Sequence, residues 1–385
     1  MVFETCKEAI HFIESKRIKR SFADFQKIID TYAIPTKLPC TIHIAGTNGK
    51  GSTVQYLKNI LVNHGYSVGT FTSPYMICHN DRICINGIPI SEEKLLYYIN
   101  DLLPMIEKEN ISMFEIDVII MLRYFYEQAP DFCIIEVGIG GKEDKTNVII
   151  SDYSVVTNIG YDHQYMLGNS LTEIAKHKAG IIKENQQFFT GENNHQLLQI
   201  FKDICQQKQT VMEVVETQEG YQFCYQGNIY TLENNAASYY VYNAHLAAVV
   251  AGACIPLKFD LTNQAIHQFN YPGRFEKIGH IYLEGAHNED GIRALVKTIE
   301  MHKFKSFCIL FSALSDKDKD TMLSHLHNYS VFCVSFSDDR NASKEPSYRE
   351  VITVVYQKYE TIIVTGSLHF ISEVRKYILD NKTKF

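Results

Sequence analysis

The chain has 385 residues, 45% hydrophobic and 21% charged, with a formal net charge of −7. That balance excludes a disordered chain, and the lack of a long basic run argues against a nucleic-acid surface. The length suits two domains, and no apolar run approaches the roughly 18 residues of a membrane span.

Charges run throughout Met1 to Arg20, so no signal peptide is expected and a cytoplasmic location is. Residues 1–33 read as helices, with apolar sets Phe3, Ala9, Ile10, Ile13 and Phe22, Phe25, Ile28, Ile29. Pro35 and Pro39 break the pattern before a strand over Thr41 to Ala45. The strand runs into Gly46-Thr47-Asn48-Gly49-Lys50-Gly51-Ser52-Thr53, and a helix follows (Val54, Leu57, Ile60, Leu61). Strand, glycine-rich turn and helix N-terminus together make an anion cradle. Lys50 would reach the outer phosphates of a nucleotide, and Ser52 or Thr53 would face Mg²⁺. The loop departs from a strict Walker A, because Gly51 follows Lys50.

A second strand, Ser67 to Phe71, ends in Thr72-Ser73-Pro74. Ser73 reads as a turn residue before proline or as an oxygen ligand at a strand end. Ser91 starts a helix, and a further helix spans Phe114 to Gln128. Phe132 to Ile135 reads as a buried parallel strand that delivers Glu136 to its C-terminal end, where such sheets bind ligands. Glu136 is thus a candidate Mg²⁺ ligand. Another buried strand, Ser154 to Ile159, leads to Asp162-His163, and a lone histidine there is a metal ligand or a structural group. A helix follows over Leu171 to Lys178. Residues 184–235 offer no legible chemistry, only two short hairpins expected around Gly220 and Gly227. A helix covers Tyr242 to Ala251. Pro272-Gly273 suits a hinge, and the neighbouring Arg274 is a forked phosphate donor. Strands at His280 to Leu283, Phe307 to Phe311, Val331 to Ser335 and Thr361 to Val364 alternate with helices, as in an open α/β sheet. Ten cysteines are scattered without C-x₂₋₄-C spacing, which speaks against zinc. Those in apolar runs, such as Cys133 and Cys308, read as buried free thiols.

GTNGKGST resembles the ATP loop of the folylpolyglutamate synthase and dihydrofolate synthase family, within the Mur ligase superfamily. Further blocks resemble the same family in the same order. The run Thr72 to Ser91 is similar to its TSPH…NERI.ING.PIS block, with Tyr75 for His and Asp81 for Glu. Glu136 to Val148 is similar to EVGLGGRLDATNV, with Lys142 for Arg, Glu143 for Leu and Lys145 for Ala. Leu167 to Lys183 is similar to LG.TL.EIA.EKAGIIK, with His177 for Glu. Tyr242 to Ala251, Pro272 to Glu276, Glu284 to Asn288 (Glu for Asp), Ala313 to Asp318 and Thr365 to Phe370 complete the set.

The resemblance implies a P-loop parallel-sheet ATPase domain over 1–272 and a smaller Rossmann-like α/β domain over 273–385. It implies ATP on Gly46 to Thr53 with Asn243, Arg274, Glu284 and His287. It implies Mg²⁺ on Ser73 and Glu136, and a second Mg²⁺ on His163 with Lys178 carbamylated. The alternative for Lys178 is a solvated lysine at a helix end. Arg82 and Asp144 would contact the acceptor substrate. Lys50, His163 and Lys178 form the expected catalytic set. The implied activity is ATP-dependent addition of L-glutamate to a folate or dihydropteroate carboxylate through an acyl phosphate. The partners expected are small molecules only, with no nucleic acid and no membrane, and a monomer. The alternatives are a Mur-like ligase for another carboxylate, and a P-loop NTPase without ligation.

Overall fold

A computed structural model of the chain describes residues 2–233, 236–338, 340–341, 344–381 and 385. The chain falls into two compact units that interleave in sequence. The first takes 1–217 and 243–265, the second 218–242 and 266–385.

The first unit is built on eight strands: β1 (Thr41–Ala45), β2 (Val68–Phe71), β3 (Ile83–Ile85), β4 (Ile88–Pro89), β5 (Phe132–Glu136), β6 (Tyr153–Val156), β7 (Gln187–Thr190) and β8 (Val211–Val214). They lie in the order β4-β3-β2-β5-β1-β6-β7-β8. All neighbours from β2 to β8 are parallel, and β3 and β4 add an antiparallel edge. Every residue of β1 and β5 is buried, as expected for central strands covered on both faces.

Helices α1 (Cys6–Glu14), α2 (Phe22–Thr31), α3 (Lys50–Asn63), α4 (Glu92–Glu109), α5 (Met113–Gln128), α6 (Gln164–Leu167), α7 (Leu171–Lys178), α8 (His195–Gln207), α9 (Tyr240–Cys254) and α10 (Phe259–His267) surround this sheet or flank it in sequence. One apolar cluster joins α1, α2, α4 and α5 to Phe71, Cys133 and Ile135. A second joins α7 and α8 to Ala45, Val156 and Phe188. The helices start where local chemistry satisfies their first amides. Ser112 with Glu115 and Ser170 with Glu173 form capping boxes on α5 and α7. Ser91 caps α4 through its hydroxyl alone.

The second unit holds a hairpin, β9 (Gln222–Tyr225) and β10 (Asn228–Thr231), and a five-stranded sheet. The sheet's strands are β11 (Glu276–Ile278), β12 (Ile281–Leu283), β13 (Phe307–Phe311), β14 (Val331–Cys333) and β15 (Thr361–Thr365), in the order β11-β12-β15-β13-β14. Only β11 is antiparallel to its neighbour. Helices α11 (Glu289–His302), α12 (Lys319–Ser324), α13 (Tyr348–Tyr356) and α14 (Leu368–Asp380) alternate with these strands.

Three expectations change. Only the turn at Gly227 joins paired strands. Gly220 turns at φ +89° ahead of the hairpin but closes no second one. The stretch after 184 is not loops and hairpins alone, because β7, α8 and β8 extend the main sheet by two strands. The strand expected over 154–159 ends at Val156, and the next four residues leave the sheet to serve the site described below. Residues 234 and 235, at the end of the stretch without legible chemistry, lie outside the described residues.

Candidate functional site

Gly46 to Thr53 link the buried end of β1 to α3. Gly49 is the N-cap of α3 at φ +84°, a left-handed conformation that costs a side chain strain and costs glycine none. Space imposes the same choice, since a Cβ on Gly49 would lie 2.4 Å from Asn243 Oδ1, and one on Gly46 would lie 1.8 Å from Thr157 Oγ1. The loop is held from the exit of β6. Thr47 N donates to Asn158 O at 3.0 Å, and Asn48 N donates to Asn158 Oδ1 at 3.0 Å. Thr157 Oγ1 donates to Asn48 O at 2.6 Å, while Thr47 Oγ1 and Gly160 exchange bonds at 2.9 and 3.0 Å. With Thr47 and Asn48 spent this way, the amides left to face an anion are those of α3's first turn, Lys50, Gly51 and Ser52, which have no intrahelical acceptor. Thr53 spends its hydroxyl on Gly49 O at 2.9 Å, so Ser52 is the better placed of the two hydroxyls.

Two lysines converge on one oxygen. Lys50 Nζ donates to Gly46 O at 3.1 Å and to Thr47 O at 3.3 Å. Lys178 Nζ, at the end of α7, donates to the same Gly46 O at 2.8 Å. Lys178 is 4% exposed, so the reading of a solvated helix-end lysine does not hold. Burial brings its pKa down to about 7, and the Lys50 ammonium adds to the effect while Asp162 and Asp144 oppose it. The amine at this position is therefore substantially neutral near pH 7.

Glu136 ends β5 beside the loop strand, paired in register with Ile44, and is buried. Ser73 N donates to Glu136 Oε2 at 3.2 Å, so these two expected metal ligands come together. A carboxylate and a hydroxyl at the rim of a phosphate loop are hard oxygen donors, the set that suits Mg²⁺ when phosphates supply the rest. Among the described residues no cluster of three or more His, Cys, Asp or Glu could hold an ion alone. His163 stands at φ 48° at the start of α6, with its backbone N on Asp162 Oδ1 at 2.9 Å and its Nε2 3.8 Å from Asp162 Oδ2.

The two expected acceptor residues are both deeply engaged. Asp144 Oδ2 accepts from Ile139 N at 2.9 Å, and Oδ1 accepts from Thr146 N at 3.0 Å and Thr146 Oγ1 at 2.5 Å. Burial nevertheless raises its pKa. Its carboxylate thus ties down the loop after β5. Behind it, fully buried His43 reaches Thr146 Oγ1 through Nε2 at 2.8 Å. Burial keeps His43 neutral, its pKa pushed to about 3. Arg82 is buried with its Nε 3.4 Å from Asp117 and its guanidinium over the Tyr75 ring. Beside it His79 bridges Asp117 Oδ1 (2.8 Å) and Glu14 Oε1 (3.1 Å), and Tyr75 Oη donates to the same Glu14 oxygen at 3.0 Å. A second ion cluster, half-buried Arg20 and Lys145 around fully buried Glu115, includes the residue after Asp144.

In the second unit, Arg274, Glu284 and His287 come together around one loop. Gly285 N donates to Gly273 O at 2.9 Å, Arg274 Nη1 to Gly285 O at 3.4 Å, and His287 Nδ1 lies 2.8 Å from the same oxygen. Buried Glu284 accepts from Tyr239 Oη at 2.5 Å and Phe275 N at 3.0 Å. Burial raises its pKa against the pull of Arg274.

Sequence reasoning gave no role to Thr157, Asn158 and Gly160, which brace the loop. The signal available was a run of small polar residues following a buried strand one position from β1 in the sheet.

Residues 44–251 match the Mur ligase middle domain, so the class of protein is a Mur ligase. The chain is 31% identical to the dihydrofolate synthase/folylpolyglutamate synthase of Bacillus subtilis, covering 97% of this chain and 98% of that one. It is 30% identical to the folylpolyglutamate synthase of Lacticaseibacillus casei, covering 89% and 90%. A solved complex described as folylpolyglutamate synthase with AMPPCP and folate superposes with a TM-score of 0.86 at 26% identity, covering 97% of this chain and all of the other. The chain belongs to the folylpolyglutamate synthase/dihydrofolate synthase family. Among the described residues no helix is long and apolar enough to cross a membrane.

Proposed function

We infer that the chain is an ATP-dependent ligase that adds L-glutamate to the carboxylate of a folate or dihydropteroate through an acyl phosphate. One observation carries the reading: a phosphate loop with Lys50 and a buried Lys178, half neutral near pH 7, on one carbonyl, in a chain alignable over nearly its whole length with ligases of that name.

The acceptor carboxylate takes the γ-phosphoryl group of ATP, giving an acyl phosphate and ADP. The amino group of glutamate then attacks the acyl carbon and phosphate leaves. Lys50 and the first-turn amides of α3 hold phosphate charge in fixed positions, which lowers the barrier without reorganisation. Ser73 and Glu136 would hold one Mg²⁺, and His163 with Lys178 a second. The metal's contribution is neutralisation of phosphate charge. Asn243, Arg274, Glu284 and His287 are assigned to the rest of the nucleotide, and Arg82 and Asp144 to acceptor binding. Asp144 acts there by fixing the loop after β5. On this reading the ATP-handling part runs to 272 and the glutamate-accepting part from 273, and the enzyme works as a cytoplasmic monomer.

A neutral amine is the form that adds CO₂, so the burial of Lys178 supports its carbamylation. Lys178→Ala is expected to abolish ligation, with partial recovery on adding small carboxylates. Undiminished ligation would overturn this role. The function itself is tested by ADP release with ATP, Mg²⁺ and L-glutamate, comparing dihydropteroate, tetrahydrofolate and no acceptor. One added glutamate on dihydropteroate assigns dihydrofolate synthase activity, and additions to tetrahydrofolate assign polyglutamate synthesis. ADP release indifferent to both acceptors would refute the ligase reading.

A further inference from the structure

We propose that His43 is a positioning residue for the acceptor: its Nε2–H holds the Thr146 hydroxyl on Asp144 and so fixes the loop after β5 from inside the sheet. On the ligase reading above Asp144 serves the acceptor, and His43 serves Asp144 through Thr146.

The bonds can run in only one direction. His43 Nε2 lies 2.8 Å from Thr146 Oγ1, and Thr146 Oγ1 donates to Asp144 Oδ1 at 2.5 Å. A hydroxyl has one hydrogen, so Oγ1 must accept from the ring. Asp144 takes two more donors, Thr146 N on Oδ1 at 3.0 Å and Ile139 N on Oδ2 at 2.9 Å, which suits a carboxylate. His43 Nδ1 is buried and has no hydrogen-bond partner among the described residues. A proton there would leave a buried N–H without an acceptor, a rarer state than a bare lone pair. The ring is therefore held with its single proton on Nε2, and burial keeps it uncharged.

The backbone of the turn Lys145–Val148 is held without this ring. Asn147 Nδ2 donates to Lys142 O and Gly180 O, both at 3.2 Å, and Lys183 Nζ donates to Asn147 O at 3.1 Å and Oδ1 at 2.7 Å. What His43 adds is the direction of one hydroxyl. It does so from the middle of β1, in register with Ile135 of β5 and Ser154 of β6, at a fully buried place where an apolar side chain would serve packing as well. The same strand ends in the phosphate loop three residues later. One rigid element thus carries the nucleotide loop at its end and steadies the acceptor loop from its side.

The test is steady-state ligation and thermal melting of the full chain with substitutions at three positions. His43→Leu removes the donor and should raise the acceptor KM about tenfold, with kcat and the ATP KM within about twofold. His43→Gln places an amide nitrogen near Nε2 and should return the acceptor KM to within about twofold of wild type. Thr146→Val strands the Nε2–H, so it should lower the melting temperature more beside His43 than beside Leu at 43, a comparison that cancels any misfit of leucine. Asp144→Asn, which puts a donor among donors, should raise the acceptor KM as well. A raised KM in Asp144→Asn with none in His43→Leu would overturn the proposal alone. An unchanged KM in Asp144→Asn would overturn the assignment of Asp144 to the acceptor, and the proposal with it. Equal rises in the acceptor and ATP KM in His43→Leu, or no recovery in a folded His43→Gln, would reduce His43 to a packing residue. Equal melting losses for Thr146→Val in both backgrounds would overturn the direction of the bonds.

Discussion

Lys178→Met should make the protein more stable while removing a group the site needs. The wild-type amine is buried, and its pKa lies near 7 where an unfolded lysine titrates near 10.5. Near pH 7 the unfolded chain binds that proton and the folded chain half releases it, which costs the fold about 4 kcal/mol relative to a side chain with nothing to ionise. Methionine keeps the length and apolar stem and drops the charge. It also forfeits the hydrogen bond to Gly46 O, about 1 kcal/mol, an oxygen that Lys50 still serves. The net expectation is a gain on the order of 3 kcal/mol near pH 7. The sign follows from a base whose folded pKa is depressed: its penalty is complete below about pH 7 and fades as pH rises toward 10.5. At about pH 9.5 the advantage of the variant should therefore shrink below about 1 kcal/mol. Urea unfolding of both proteins at the two pH values, in bicarbonate-free buffer, measures it. A variant no more stable than wild type near pH 7, or an advantage identical at both pH values, would refute the picture of a desolvated ammonium.

Two further outcomes follow from geometry and charge. Gly49→Ala should weaken ADP binding at least about tenfold by calorimetry, because its Cβ meets Asn243 Oδ1 at 2.4 Å and its φ is +84°. Adding Asn243→Ala should restore little, since the φ penalty stays, and full recovery would show that the clash alone mattered. His79 is buried, which would lower its pKa, yet Asp117 and Glu14 outweigh burial and the repulsion of Arg82 and raise it to about 9. Its contribution, about 3 kcal/mol, is present below about pH 6.5 and is lost as pH rises through 9. Tyr75 shares Glu14 but stays neutral over that window, its own pKa raised to about 12. His79→Gln should flatten the stability profile over that interval, and an unchanged slope would discard the paired-imidazolium account.

Much of the scaffold was legible because its physics is local. β1 and β5 announce themselves as short buried runs of β-branched residues, and the glycines of the loop mark where a helix begins without a side-chain cap. The extension by β7, α8 and β8 was missed for equally local reasons. β8 is an edge strand whose four residues are exposed or half-exposed, so its sequence lacks the apolar signature of a buried strand. The signal for α8 was present: Asn194 as N-cap, then Leu197, Phe201 and Cys205 at helical spacing, hidden behind the polar run 192–196. At the site, residue types pointed to Ser73, Glu136 and Lys50. Sequence alone could not show that Lys178 is buried on Gly46 O, or that Asp144 exhausts its oxygens on its own loop. Both depend on groups more than a hundred residues away or on the fold of a turn.

The order of strands in the main sheet also governs how the chain can be made. β5 lies between β1 and β2, and β1's other neighbour is β6. A growing chain that has released its first 131 residues has therefore produced four strands and five helices yet cannot form a single parallel pair among them. β1, apolar and meant for complete burial, waits unpartnered until Phe132–Glu136 emerges and slides in beside it. The phosphate loop has nothing to stand on before then. Nucleotide recognition is thus acquired late during synthesis, since the exit of β6, Lys178 and Asn243 follow β5 in the chain, with a long interval in which the central strand is open to wrong partners.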